Sequence, residues 1–182
     1  MVLSALMTAL VVVLQLLGAF IRFGTFSVSL VLIPIVIGAA TCGVAIGAWL
    51  GLIFGVTVLL SGDAALFLGI SIPGTIITVL LKGILCGLLA GLTYKALAKF
   101  NKYAAVIAAA IVCPIVNTGV FLLGCLVFFM DWIKASAGDG SVVSFMILAL
   151  VGGNFLFELG SNIVLSPAVT TLVDIGKKRF KR

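Results

Sequence analysis

The chain has 182 residues, 64% of them hydrophobic and 9% charged, with a mean hydropathy of +1.46. So few polar side chains cannot cover a soluble surface, which leaves a bilayer as the solvent. A formal net charge of +6 raises nucleic acid as a partner, but the basic residues sit at the ends of apolar segments, where lipid headgroups and topology account for them.

A span needs about 20 apolar residues, so the sequence predicts an all-α integral membrane protein with six transmembrane helices in one membrane domain, 1–182. Segment one covers about 2–17; no basic stretch precedes it, so it reads as a span and not as a cleaved signal. Residues 18–27 (GAFIRFGTFS) break the pattern and hold Arg22 in a loop at the membrane edge. Segment two, about 28–41, is short and carries Pro34; segment three, 43–60, follows with almost no polar residue between them. Gly43, Gly47, Gly51 and Gly55 recur every four residues along segment three. Such a stripe lets a second helix approach closely, either for internal packing or for a partner during movement.

Ser61-Gly62-Asp63 ends that segment, and 62–73 form a second loop closed by Pro73-Gly74. Segment four, 75–97, is followed by a turn with Lys99 and Lys102; segment five, 103–132, contains Pro114. A polar loop over 131–141 leads to segment six, 142–175, and a basic tail, 177–182. Lys95, Lys99, Lys102 and the five basic residues of the tail mark one side, against Arg22 and Lys134 on the other. That bias predicts cytoplasmic N and C termini and outward-facing longer loops. No inverted repeat relates the halves, which argues against a transporter built from two matched units.

Cys42, Cys86, Cys113 and Cys125 lack CxxC spacing and read as small apolar residues. Histidine is absent and acids are few, so zinc chemistry and histidine catalysis are poorly supported; GxSxG and HExxH are missing too. The chain does not read as an enzyme, and no metal is expected.

Ionisable groups in hydrocarbon cost a few kcal/mol each on insertion scales, and Lys82 and Glu158 fall well inside spans. Thr75, Thr78 and Lys82 share one helical face; Asn154, Glu158 and Asn162 recur every four residues; Asn117-Thr118 follow Pro114. Three consecutive helices thus present polar faces at overlapping depth, which predicts a solute pocket made by Thr78, Lys82, Asn117, Asn154, Glu158 and Asn162. Two alternatives stay open: interhelical hydrogen bonds worth about 0.6 kcal/mol each, and a structural Lys82–Glu158 ion pair. Arg22 reads equally as a lid over the pocket, pairing with a solute carboxylate or phosphate, and as an interface arginine that snorkels.

Ala5 and Ala9 form a small-residue face on segment one. With the loop after it, the glycine-rich third segment, the polar groups on segments four to six, and the stretches LVLIPIVIGAA, GAWLGLIFG, LLKGILCGLLAGLTYKAL and CPIVNTGVF, the chain resembles the substrate-binding S components of energy-coupling-factor (ECF) vitamin transporters. The resemblance implies a vitamin-capture subunit of a prokaryotic plasma membrane. It would dock on a transmembrane T component through Ala5 and Ala9, and two cytoplasmic ATPases would drive a toppling that carries the solute inward. The chain has no GxxxxGK[ST] of its own, so ATP belongs to the partners and the chain itself needs no cofactor. Lys82, Arg22 and the amides suit a small polar anion: pantothenate leads, with folate and riboflavin open. The competing classes are a stand-alone ion-coupled transporter using Lys82 and Glu158, and a structural membrane protein.

Overall fold

The computed structural model describes residues 2–180 apart from 19–21, 24–25, 28–29 and 139; the side chains of 19–29 and 177–180 lie outside the described part as well. Its elements are α1 (Val2–Gly18), a two-stranded antiparallel ribbon of β1 (Arg22–Phe23) and β2 (Phe26–Ser27), α2 (Leu32–Cys42), α3 (Val44–Leu60), α4 (Ala65–Leu68), α5 (Ile72–Leu97), α6 (Lys102–Phe128), α7 (Met130–Ala137), α8 (Val142–Ser144), a π-helical stretch (Phe145–Val151) and α9 (Gly152–Phe180). Among the described residues the ribbon is the only strand pairing, and turns join the helices.

Helix starts follow local chemistry. Ser71 caps α5 by accepting from the Gly74 N–H at 3.3 Å, so Pro73 falls in the first helical turn, where its missing N–H costs nothing. The helix therefore begins at Ile72, three residues before the expected Thr75. Asn101 caps α6 by accepting from the N–H groups of Tyr103 and Ala104.

Three apolar stretches are long enough to cross a membrane: Ile72–Leu97, Lys102–Phe128 and Val142–Gly176. The 17-residue α1 and α3 reach about 25 Å each, and the 11-residue α2 only about 16 Å. Eight residues of α2 are buried by the surrounding helices. The apolar run read as a short second segment is thus an 11-residue helix packed inside the bundle. Gly43, at φ +106°, joins it directly to α3, a conformation that L side chains rarely adopt.

The stripe on α3 packs inside the molecule. A Cβ on Gly47 would lie 2.6 Å from the Gly87 carbonyl oxygen and one on Gly55 2.9 Å from that of Val79, while one on Gly51 would collide with the Gly83 carbonyl. The exclusion is mutual: a Cβ on Gly83 or Gly87 would strike the carbonyls of Gly51 and Gly47. Gly83, Gly87 and Gly91 form the matching stripe on α5, so the two helices touch backbone to backbone. Gly43 stands outside this seam, with nothing near its position.

The main apolar core centres on α2 and the helices around it, including Val11, Leu32, Ile35, Leu50, Phe54 and Val106. A smaller cluster of Phe67, Cys125, Phe129, Ile133, Met146 and Leu150 closes the end of the bundle where α1 and α3 finish and α5 begins. Phe67 on α4 is its hub, edge-on to Phe121, Phe129 and Trp132 with ring centroids 5.5, 4.9 and 5.8 Å away. This capped end owes its shape to two breaks within expected single helices. The segment expected over 103–132 is interrupted at Phe129 (φ −126°), after which α7 turns away. The one expected over 142–175 passes through the π-helical stretch and then Gly152, at φ +36°.

Candidate functional site

Beneath the aromatic cap lies a cavity with about 770 Å³ of unfilled space, its open mouth included. Each long helix contributes one face at helical spacing. From α5 come Thr75, Thr78, Val79 and Lys82; from α6, Asn117, Thr118 and Phe121; from α9, Asn154, Phe155 and Glu158. Phe54 and Val58 of α3 and Gln15 of α1 form the opposite wall. Asp63 and Ala64, in the turn after α3, close the cavity with Phe67, Phe129 and the π-helical residues Leu150 and Val151. A π-helical turn in such a wall is common where a helix serves a site.

Five of the expected site residues therefore meet at one cavity: Thr78, Lys82, Asn117, Asn154 and Glu158. Asn162 does not line it. Its side chain is buried one turn further along α9, where Nδ2 donates to the Glu158 carbonyl oxygen at 2.9 Å. A period of four on a helix drifts slowly around the axis, so the third member of the stripe turns onto its own backbone. Arg22 belongs to β1, but its side chain lies outside the described residues. Ala5 and Ala9 are exposed on α1, away from the cavity.

Lys82 reaches between two aromatic rings, its Nζ 5.5 Å from the Phe54 centroid and 5.7 Å from that of Phe121. Both distances fall in the range where a ring face attracts a cation. Glu158 and Asp63 are among the groups whose charge acts on it. The described lining thus holds one lysine against two carboxylates, a more acidic balance than the expected anion site.

Gln15 and Asp63 were not singled out among the expected site residues. Gln15 Nε2 donates to Asp63 Oδ2 at 2.7 Å, tying α1 to the turn after α3 across 48 residues of sequence. A lone amide in the apolar run ALVVVLQLLG was the available signal for Gln15. The phenylalanines of the wall gave none, because the chain has thirteen of them and most apolar segments hold one.

Four buried polar atoms on residues that line this cavity have no hydrogen-bond partner among the described residues: Gln15 Oε1, Thr78 Oγ1, Asn117 Oδ1 and Asn154 Oδ1. Their residues are 1%, 3%, 5% and 9% exposed. A buried polar group without a partner costs about 1–3 kcal/mol. Elsewhere the protein avoids that cost. Thr57, Ser166 and Thr170 all return a hydrogen bond to their own helix at 2.7–2.8 Å. Unsatisfied groups concentrate on the cavity, as they would if a bound molecule completes them.

No group of residues fit to hold a metal ion occurs among the described residues. The four cysteines are free thiols.

Compared with known protein families, residues 1–173 match the model of the ECF transporter substrate-specific component. No curated protein and no solved structure matches the chain.

Proposed function

Because the chain belongs to the ECF transporter substrate-specific component family, we propose that the cavity under the aromatic cap is where it captures its solute. The family is a transporter binding component and not an enzyme, and the chain is accordingly a multi-pass plasma-membrane protein that partners a T component and ATPase subunits. The observation that carries the site assignment is the convergence on one cavity of four buried residues whose side-chain oxygens have no partner among the described residues. Glue between helices does not account for them, since hydrogen bonds that held helices together would be made in the protein alone.

In this reading Thr78, Asn117 and Asn154 hydrogen-bond the solute, and Lys82 receives its most electron-rich end. Glu158 balances Lys82. The positive-inside bias supports an outward-facing capped end. The solute is small and polar; pantothenate is the first candidate, followed by riboflavin and folate. ATP is consumed by the partner subunits, and Ala5 and Ala9 form the docking face for the T component.

Titrating the purified, detergent-solubilised chain with these vitamins, with thermal shift and equilibrium dialysis as readouts, tests the capture reading. Saturable one-to-one binding of one of them is expected. Absence of binding, combined with uptake by the chain alone in liposomes, would contradict it in favour of a stand-alone transporter. Leucine at Ala5 and Ala9 together is expected to abolish ATP-driven uptake and leave solute affinity unchanged; parallel loss of both would remove the docking assignment.

A further inference from the structure

We infer that Gln15 selects a hydrogen-bond donor on the solute, a ring N–H, an amide N–H or a hydroxyl, and that Asp63 fixes it in the orientation that does so. The inference rests on the capture reading above. An amide side chain offers a donor on one side and an acceptor on the other, and one that is free to turn can serve either kind of solute group. Gln15 is not free to turn. Its Nε2 lies 2.7 Å from Asp63 Oδ2, and an ionised carboxylate only accepts hydrogen bonds. The amino group must therefore face Asp63, which leaves Oε1 as the atom presented elsewhere.

That oxygen is buried, on a residue 1% exposed, and has no partner among the described residues. Gln15 is also the residue through which α1 reaches the cavity wall. An acceptor of fixed direction, shut off from water, is satisfied only by a donor. A solute presenting a carbonyl or carboxylate at this point would face oxygen against oxygen, and one presenting a methyl group would leave Oε1 unpaired. Sites built to hydrogen-bond a particular group reject analogues lacking it more strongly than apolar pockets reject a change of size. Lys82, whose Nζ lies beside the Phe54 ring in the same cavity, provides the complementary donor. The geometry thus orients the solute: a donor end toward Gln15 and an acceptor end toward Lys82.

The test is a cycle that pairs changes in the protein with changes in the ligand. Pantothenate, riboflavin and folate, together with derivatives of each carrying a single methylated N–H or O–H, are titrated against the wild-type chain, Gln15→Met and Asp63→Asn. Gln15→Met keeps the length of the side chain and deletes the acceptor. For the vitamin that binds, blocking one particular donor is expected to weaken wild-type binding about tenfold or more. It is expected to change Gln15→Met binding by less than about twofold, because the partner is already gone and the two losses do not add. Asp63→Asn can donate as well as accept, which releases the amide, so parent and blocked ligands should come within about threefold of each other while binding persists. A merely structural Gln15 would lower affinity for all ligands alike and leave the discrimination intact. The inference is overturned if the losses add for every donor blocked, or if Gln15→Met binds the vitamin as well as wild type. In both cases the capture reading stands. If the folded wild-type chain binds none of the three, the capture reading falls and takes the inference with it.

Discussion

Helix α5 meets its neighbours in two opposite ways. Through Gly83, Gly87 and Gly91 it lies against α3 with backbone touching backbone and no room for a methyl group. From two turns before that stripe up to its edge, the same helix lines the cavity with Thr75, Thr78 and Lys82, and the Thr78 hydroxyl, packed against Gly124 of α6, has no hydrogen-bond partner among the described residues. The seam maximises van der Waals contact where lipid gives helices no hydrophobic reason to associate. The cavity forgoes contact and keeps polar groups where they cost stability. A membrane protein selected only to stay folded would extend the first arrangement along the whole helix, and the contrast supports the proposed capture site at the capped end.

The largest effect is expected at the seam. In Gly51→Leu the new side chain would have to displace the Gly83 carbonyl, and backbone on both sides cannot yield. Destabilisation of about 3 kcal/mol or more is expected, read as loss of a monodisperse peak in size-exclusion chromatography. Opposite in sign is the effect of removing unpartnered groups from the cavity. Thr78→Val, and Asn117→Leu with Asn154→Leu, should raise the unfolding midpoint of the solute-free chain, each change recovering up to about 1–3 kcal/mol. The same variants should lose measurable solute binding. If they are less stable than wild type, these groups hold the helices together and the contrast between the two regions fails.

Lys82→Met separates a solute ligand from a purely structural charge. An anionic solute should bind about 10–100-fold more weakly, as expected for losing a hydrogen bond to a charged group. Unchanged affinity in an equilibrium titration would assign Lys82 to balancing Glu158. The smallest effect belongs to Gly153→Ala. No atom lies within 4 Å of the position a Cβ would take there, and its φ is not positive. Its thermal unfolding midpoint should hold or rise slightly, by the equivalent of no more than about 1 kcal/mol.

How much of this was legible in the sequence depended on range. Periodicity within a helix was readable: the α3 glycine stripe, the Thr75–Thr78–Lys82 face and the Asn154–Glu158 pair all lie as their spacing implies. Partnership between helices was less so. The α5 glycines stood in plain view in LLKGILCGLLAGLTYKAL, yet nothing in one stripe names the other. Gln15 and Asp63 meet across 48 residues, and no local pattern joins them. Hydropathy cannot separate a lipid-facing helix from a buried one, so the burial of α2 was not readable from its apolar run. Gly152 offered a hint of the break before α9. The π-helical turn in FMILALV had none, because those side chains suit either winding.

The central claim is that the buried polar groups of the cavity are kept for a solute. Mass spectrometry of small molecules released from the purified, detergent-solubilised chain tests it most directly, with Asn117→Leu/Asn154→Leu run alongside. A single polar solute, released stoichiometrically from wild type and absent from the double variant, is the predicted result. A wild-type chain that is empty, gains no thermal stability from any vitamin offered, and is no less stable than the double variant would contradict the account.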